Sequence, residues 1–142
     1  KAGFLHVADL DTGEDDEEDG RGGRRRRPKK YPPIQDLIKK GQQIVVQVNK
    51  EPISTKGPRV TAEISLPGRF LVYMPSSSHV GVSRKIEDRD ERSRLRKLAE
   101  GILPKNSGGI IVRTVSEELN EDTNAQAVLK AAFLNQMFVF ET

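Results

Sequence analysis

Side chains able to do acid–base or metal chemistry are scarce in this sequence, while those able to hold phosphate are abundant. Cysteine is absent and there are only two histidines, His6 and His79. This excludes disulfide frameworks and thiolate metal sites, and leaves too few imidazoles for a zinc cage. The histidines lie far apart with no carboxylate pattern around them, so both read as structural or surface groups. Asp9, Asp36 and Glu51 lack the paired spacing or apolar setting of a general acid. Lys and Arg number 24 against 21 Asp and Glu, a net charge of +3. That small excess conceals a segregation, because Asp11 to Asp19 holds seven carboxylates and no base, and Arg21 to Lys30 seven bases and no acid. Arg24, Arg25, Arg26, Arg27, Lys29 and Lys30 suit a polyanionic phosphate chain, with the acidic half as an internal screen; the alternative is a self-neutralising, solvated loop. Arg84, Lys85 and the bases from Arg89 to Lys97 read first as a solvated face paired with Glu87, Asp90 and Glu91.

These groups need a frame. At 142 residues the chain has room for one ordinary domain or two small ones, too little for a large multidomain catalytic cleft. The start at Lys1, against an apolar run, is expected of a piece of a longer protein. About a quarter of the residues are Leu, Ile, Val or Phe, above the roughly one fifth below which chains stay disordered. The charged runs bury nothing that offsets the entropy of ordering, so residues 11–33 are expected to be a disordered insertion. No stretch approaches the ~20 apolar residues of a membrane span.

Around the insertion, periodicity supplies the elements. Phe4 to Val7 is a short β run. Ile34 to Gly41 has helical spacing with a Gly stop, and Gln43 to Asn49 is a Val-rich strand. Val60, Ala62, Ile64 and Leu66 alternate with polar residues as one half-buried strand. Pro67 and Gly68 form a type II turn pair leading into a strand from Arg69 to Met74. Val80 to Ser83 precedes a helix capped by Asp88, with Leu95, Leu98, Ala99 and Ile102 inward and Arg89, Arg92, Arg96 and Lys97 outward. It stops around Pro104 and Asn106 to Gly109. The strand Ile110 to Val112 closes on Arg113 and Thr114. A last helix, capped by Asp122 or Thr123, carries Ala125, Val128, Leu129 and Ala132 and ends on Phe138-Val139-Phe140. The order is no βα alternation, and predicts a mainly β chain, a small barrel with an α+β extension.

Longer motifs carry a resemblance. GFLHVADL and IKKGQQIVVQV are similar to two strands of the OB-fold RNA-binding domain. NKEPISTKGPRVTAEISLPGRFLVYMP, continuing through VGVSRKIED to GGIIVRT, closely resembles the ribonuclease E/G family over residues 1–118, with no match to the pattern from Leu119 on. The resemblance implies an incomplete OB-fold β-barrel in residues 1–62, interrupted by the insertion at 11–33. It implies a small α+β 5′-sensor subdomain in 63–118 and leaves 119–142 as an atypical helical tail. The implied activity is a magnesium-dependent endoribonuclease that cuts single-stranded RNA and prefers a 5′-monophosphate, with a cytoplasmic, homo-oligomeric parent. The family's metal-binding carboxylates and zinc-binding cysteine pair belong to later segments, so no catalytic residue and no metal ligand is assigned in this chain. The alternative is a free-standing, non-catalytic OB-fold RNA-binding module.

By matching position, the resemblance makes Phe4 a base-stacking aromatic and Lys56 a phosphate contact, and Arg84 and Lys85 a pair that guides RNA. Gly68, Val72, Arg113 and Thr114 become the pocket for the 5′-phosphate. The chemistry is compatible: stacking on an aromatic is worth ~1–3 kcal/mol per base and tolerates any base. A guanidinium fork with a neighbouring hydroxyl suits a terminal phosphate, which carries more charge than a bridging diester. The competing reading of Phe4 is a core residue of its strand, and of Arg113 a strand-end cation in solvent.

Overall fold

In the computed structural model, residues 2–10 and 30–141 are described, so the acidic block, the basic block up to Lys29 and most of the expected insertion at 11–33 lie outside the described residues. The chain divides into two compact units, residues 1–64 and 65–142.

The first unit is a three-stranded sheet in the order β1-β3-β2, with β1 at Phe4–Leu5, β2 at Gln47–Lys50 and β3 at Arg59–Thr61. β3 pairs in parallel with β1 and antiparallel with β2, and the register shifts between Val48 and Lys50. No closed barrel forms among the described residues. Helix α1 (Ile34–Leu37) is a single turn that ends at Ile38. Gly41 is therefore not its terminus: at φ 86° it shapes the next turn, where Gln42 N–H donates to the Lys39 carbonyl at 3.1 Å. β2 begins at Gln47 rather than Gln43, and Ile44, Val45 and Val46 are exposed. The unit is tied instead by polar links. Asp9, in a 3-10 turn at Val7–Asp9, accepts from Arg59 Nε at 2.9 Å and pairs with its NH2 at 2.7 Å, and the Asp9 carbonyl accepts from Ala62 N–H at 2.8 Å. His6 caps that turn by accepting from Ala8 N–H at 3.1 Å.

The second unit holds a four-stranded sheet in the order β4-β5-β7-β6, with β4 at Leu66–Pro67, β5 at Leu71–Met74, β6 at Val80–Val82 and β7 at Gly109–Val112. The expected continuous strand from Val60 to Leu66 is split between the two units, because pairing stops at Thr61 and resumes at Leu66. β6, helix α2 (Arg89–Ile102) and β7 form a parallel crossover, so one βα repeat does occur in a chain whose order suggested none. Asp88 caps α2 as expected, its Oδ1 accepting from Asp90 N–H at 2.8 Å and Glu91 N–H at 3.3 Å.

Alternation along the strands sends Leu71, Tyr73, Val82, Ile110 and Val112 into one core with Leu95, Ala99 and Ile102 of α2. Helix α3 (Asp122–Glu141) completes it with Leu129 and Phe133, both fully buried, so the residues set apart as a tail belong to the core of this unit. The Phe133 ring meets Tyr73 edge to face at 5.3 Å, and the Tyr73 hydroxyl donates to the Ser107 carbonyl at 2.7 Å. Gly108, at φ 101°, passes so close to Tyr73 and Met74 that a Cβ would stand 2.8 Å from each. Among the described residues no helix is long and apolar enough to cross a membrane.

Candidate nucleic-acid interface

The parallel and antiparallel pairings of the second unit bring four chain segments to one end of its sheet. β6 and β7 both finish there, β5 begins there, and β4 turns there. Ser83 N–H donates to the Val112 carbonyl at 2.8 Å, and Arg113 N–H to the Phe70 carbonyl at 2.7 Å. Gly68, Phe70, Ser83 and Arg113 are thus neighbours across the strands, although they span much of the unit's sequence.

Arg113 is exposed, and its NH1 donates to the Gly68 carbonyl at 2.5 Å. That bond orients the guanidinium, and among the described residues its Nε and NH2 have no protein acceptor. Thr114 follows at once, half-buried, at the head of a 3-10 helix (Thr114–Glu118). Below it Ser116 is fully buried and donates to the Phe70 carbonyl at 3.0 Å, fixing the segment that carries both residues. Val72 lies opposite Ile111 and alternates with the core residues Leu71 and Tyr73, so it belongs to the sheet face away from the helices.

Gly68 is placed differently from the expected turn. Pro67 is a strand residue opposite Val72, and Gly68 N–H donates to the Leu71 carbonyl at 2.8 Å, so the reversal passes through Arg69 and Phe70. Its φ is not positive; the absent side chain leaves room that the Gln136 side-chain amide occupies, and a Cβ there would push that amide aside. Arg69 is exposed, with its guanidinium carbon 5.2 Å from the Phe70 ring centre, and adds a cation that the sequence reading did not single out.

Arg84 and Lys85 are exposed in the loop after β6, at this same sheet end. Their loop is held from beneath by Arg92, whose NH1 donates to the carbonyls of Ser83 at 2.7 Å and Ile86 at 3.0 Å. Arg92 was expected on the outer face of α2 and is half-buried instead. Its distance of three residues from Leu95 and seven from Ala99 puts it on the inward stripe, a signal the sequence offered. Arg94 is also tied down, to Glu91 at 2.6 Å, Asp122 at 2.9 Å and the Leu119 carbonyl at 2.8 Å. The hydrogen bonds to Glu91, then Asp122, hold its pKa above the ordinary guanidinium value, so it stays charged at every working pH.

In the first unit Phe4 is 59% exposed, which removes the reading of it as core. Its N–H donates to the Pro58 carbonyl at 2.8 Å and it lies opposite Arg59. Lys56 closes a turn by donating its N–H to the Ile53 carbonyl at 3.0 Å, three residues before that pairing begins at Arg59. Gly57 between them meets the Ala2 backbone so closely that a Cβ has no room. An exposed aromatic on β1 and an exposed cation in the turn before β3 thus belong to the same unit. Among the described residues no three His, Asp or Glu side chains converge to hold a metal ion.

A family model described as the ribonuclease E/G family matches residues 65–135, beyond the point where the sequence pattern was lost. The chain is 42% identical to ribonuclease G of Haemophilus influenzae, with 97% of the chain and 26% of that protein aligned. It is 38% identical to ribonuclease G of Escherichia coli K12, across 97% of the chain and 27% of the relative. Ribonuclease E of Synechocystis is 43% identical over 86% of the chain and 16% of its own length. The chain thus spans about a quarter or less of these relatives.

Proposed function

From its membership of the ribonuclease E/G family, to which the chain belongs, we propose that it is the RNA-binding and 5′-monophosphate-sensing portion of an endoribonuclease acting in RNA processing and decay. The observation that carries the proposal is the Gly68 carbonyl holding Arg113 NH1 at 2.5 Å, beside Thr114. With NH1 fixed, Nε and NH2 are free to grip a terminal phosphate as a fork, and the Thr114 hydroxyl can donate to a further oxygen. A 5′-monophosphate carries more negative charge than an internal diester, so such a grip favours the end of a transcript.

In this reading the second unit is the 5′-sensor and Val72 gives the first base an apolar contact. The first unit is the open OB-fold surface, where Phe4 stacks a base and Lys56 meets a phosphate, and Arg84 and Lys85 steer the strand. Cleavage and its magnesium belong to the remainder of the parent enzyme, proposed as a cytoplasmic homo-oligomer, and no chemical step is assigned to this chain.

The test is the affinity of the chain for one short single-stranded RNA bearing 5′-phosphate or 5′-hydroxyl. A preference for the phosphate is expected, reduced by about tenfold or more in Arg113→Ala, as for a lost charge-assisted hydrogen bond. Equal affinities for both ends would favour a non-catalytic OB-fold RNA-binding module. Binding with no salt dependence would contradict both, because phosphate contacts release counterions.

A further inference from the structure

We propose that Gln136, on α3, is a positioning residue for the terminal-phosphate grip, acting through Gly68 on Arg113. The proposal rests on the assignment of Arg113 as a phosphate ligand, and extends the site to a helix that supplies none of its contacts.

Three contacts link the residues. Gln136 Nε2 donates to the Leu66 carbonyl at 3.0 Å, spanning 70 residues of sequence. The same amide fills the space a Cβ on Gly68 would need. The Gly68 carbonyl then accepts the bond that fixes Arg113 NH1. Gln136 thus touches the backbone on both sides of Pro67, immediately before the oxygen that aims the guanidinium.

The strand it braces has little else to hold it. β4 is a two-residue edge strand whose second residue, Pro67, has no N–H to give to a ladder. The amide orientation is also determined. Gln136 Oε1 is buried without a hydrogen-bond partner among the described residues, and turning the amide round would set that oxygen against the Leu66 carbonyl. An apolar side chain of equal length would fill the space and leave no orphan acceptor. The amide accepts that penalty for a bond that pins the edge strand where it turns into the Arg113 acceptor.

A double-substitution cycle on the 142-residue chain tests this, read as affinity for RNA with 5′-phosphate and with 5′-hydroxyl. Gln136→Met keeps volume and removes the donor; it should lower 5′-phosphate affinity about fivefold, part of a charge-assisted bond, and leave 5′-hydroxyl affinity unchanged. Gly68→Ala should displace the amide and reproduce that selective loss. The double variant should be no worse than the more affected single one, because both act through one contact. Losses that multiply, or that fall equally on both RNAs, would overturn the proposal, as would retained preference in Gly68→Ala whether or not Gln136→Met folds. A wild-type preference that persists in Gln136→Met removes this inference alone. No preference in the wild type removes the terminal-phosphate reading and the inference with it.

Discussion

In the proposed reading both units present groups to a nucleic acid, and they rest on different physical foundations. Among the described residues of the first unit none is buried, and Phe4, Val45 at 75% exposure and Ile53 at 73% stand in solvent. That unit is held by strand pairing, the Asp9–Arg59 ion pair and backbone turns. The second unit closes a continuous core beneath its sheet, with α2 and α3 covering one face. An open surface carrying an aromatic and cations suits sequence-indifferent stacking, which tolerates loose geometry. The proposed phosphate fork would have to be held to a fraction of an ångström, and the buried Ser116, the Arg92 brace and the packed α3 are the supports available to it.

The largest expected contrast comes from truncating a core side chain. Phe133→Ala should destabilise the second unit by about 3–5 kcal/mol, read from denaturant unfolding. A much smaller change would mean that α3 does not belong to its core. Arg92→Met is next, removing donors to the Ser83 and Ile86 carbonyls: a loss of about 2 kcal/mol is expected, with weaker RNA binding as the Arg84–Lys85 loop loosens. Phe4→Ala should do the reverse, costing about 1–2 kcal/mol of RNA affinity and leaving stability within about 0.5 kcal/mol. If it unfolds the chain, the contrast between the units fails. Smallest is Lys56→Ala, which should reduce the salt dependence of binding by about one counterion with little dependence on base sequence.

Legibility followed the same division. α2 with its Asp88 cap, β6 and β7 could be read from local pattern, because burial on one face imposes a period. In the first unit the apolar run Ile44 to Val46 lay ahead of any strand, since apolar residues there have no core to enter. The alternation from Val60 to Leu66 read as one strand, though a unit boundary runs through it. At the site, Arg113, Thr114 and Gly68 were named by motif, but the motif did not reveal that Gly68 holds Arg113. Pro67-Gly68 suggested a corner, and the neighbour that fills the space beside Gly68 is Gln136, far off in sequence. The α3 stripe was legible through Ala125, Leu129 and Ala132, whereas Phe133, the largest side chain it buries, was not among the residues named. The candidate residues were nameable from residue type and motif; the contacts that hold them, such as Arg113 to Gly68 and Gln136 to Leu66, are long-range.

The most direct measurement is a backbone and arginine side-chain NMR titration of the chain with 5′-phosphorylated RNA and its 5′-hydroxyl twin, mapping only the difference between them. The difference is expected to fall on Gly68, Val72, Thr114 and the Arg113 Nε–H, while Phe4 and Lys56 respond equally to both RNAs. A difference centred on the first unit, or none at Arg113, would contradict that expectation.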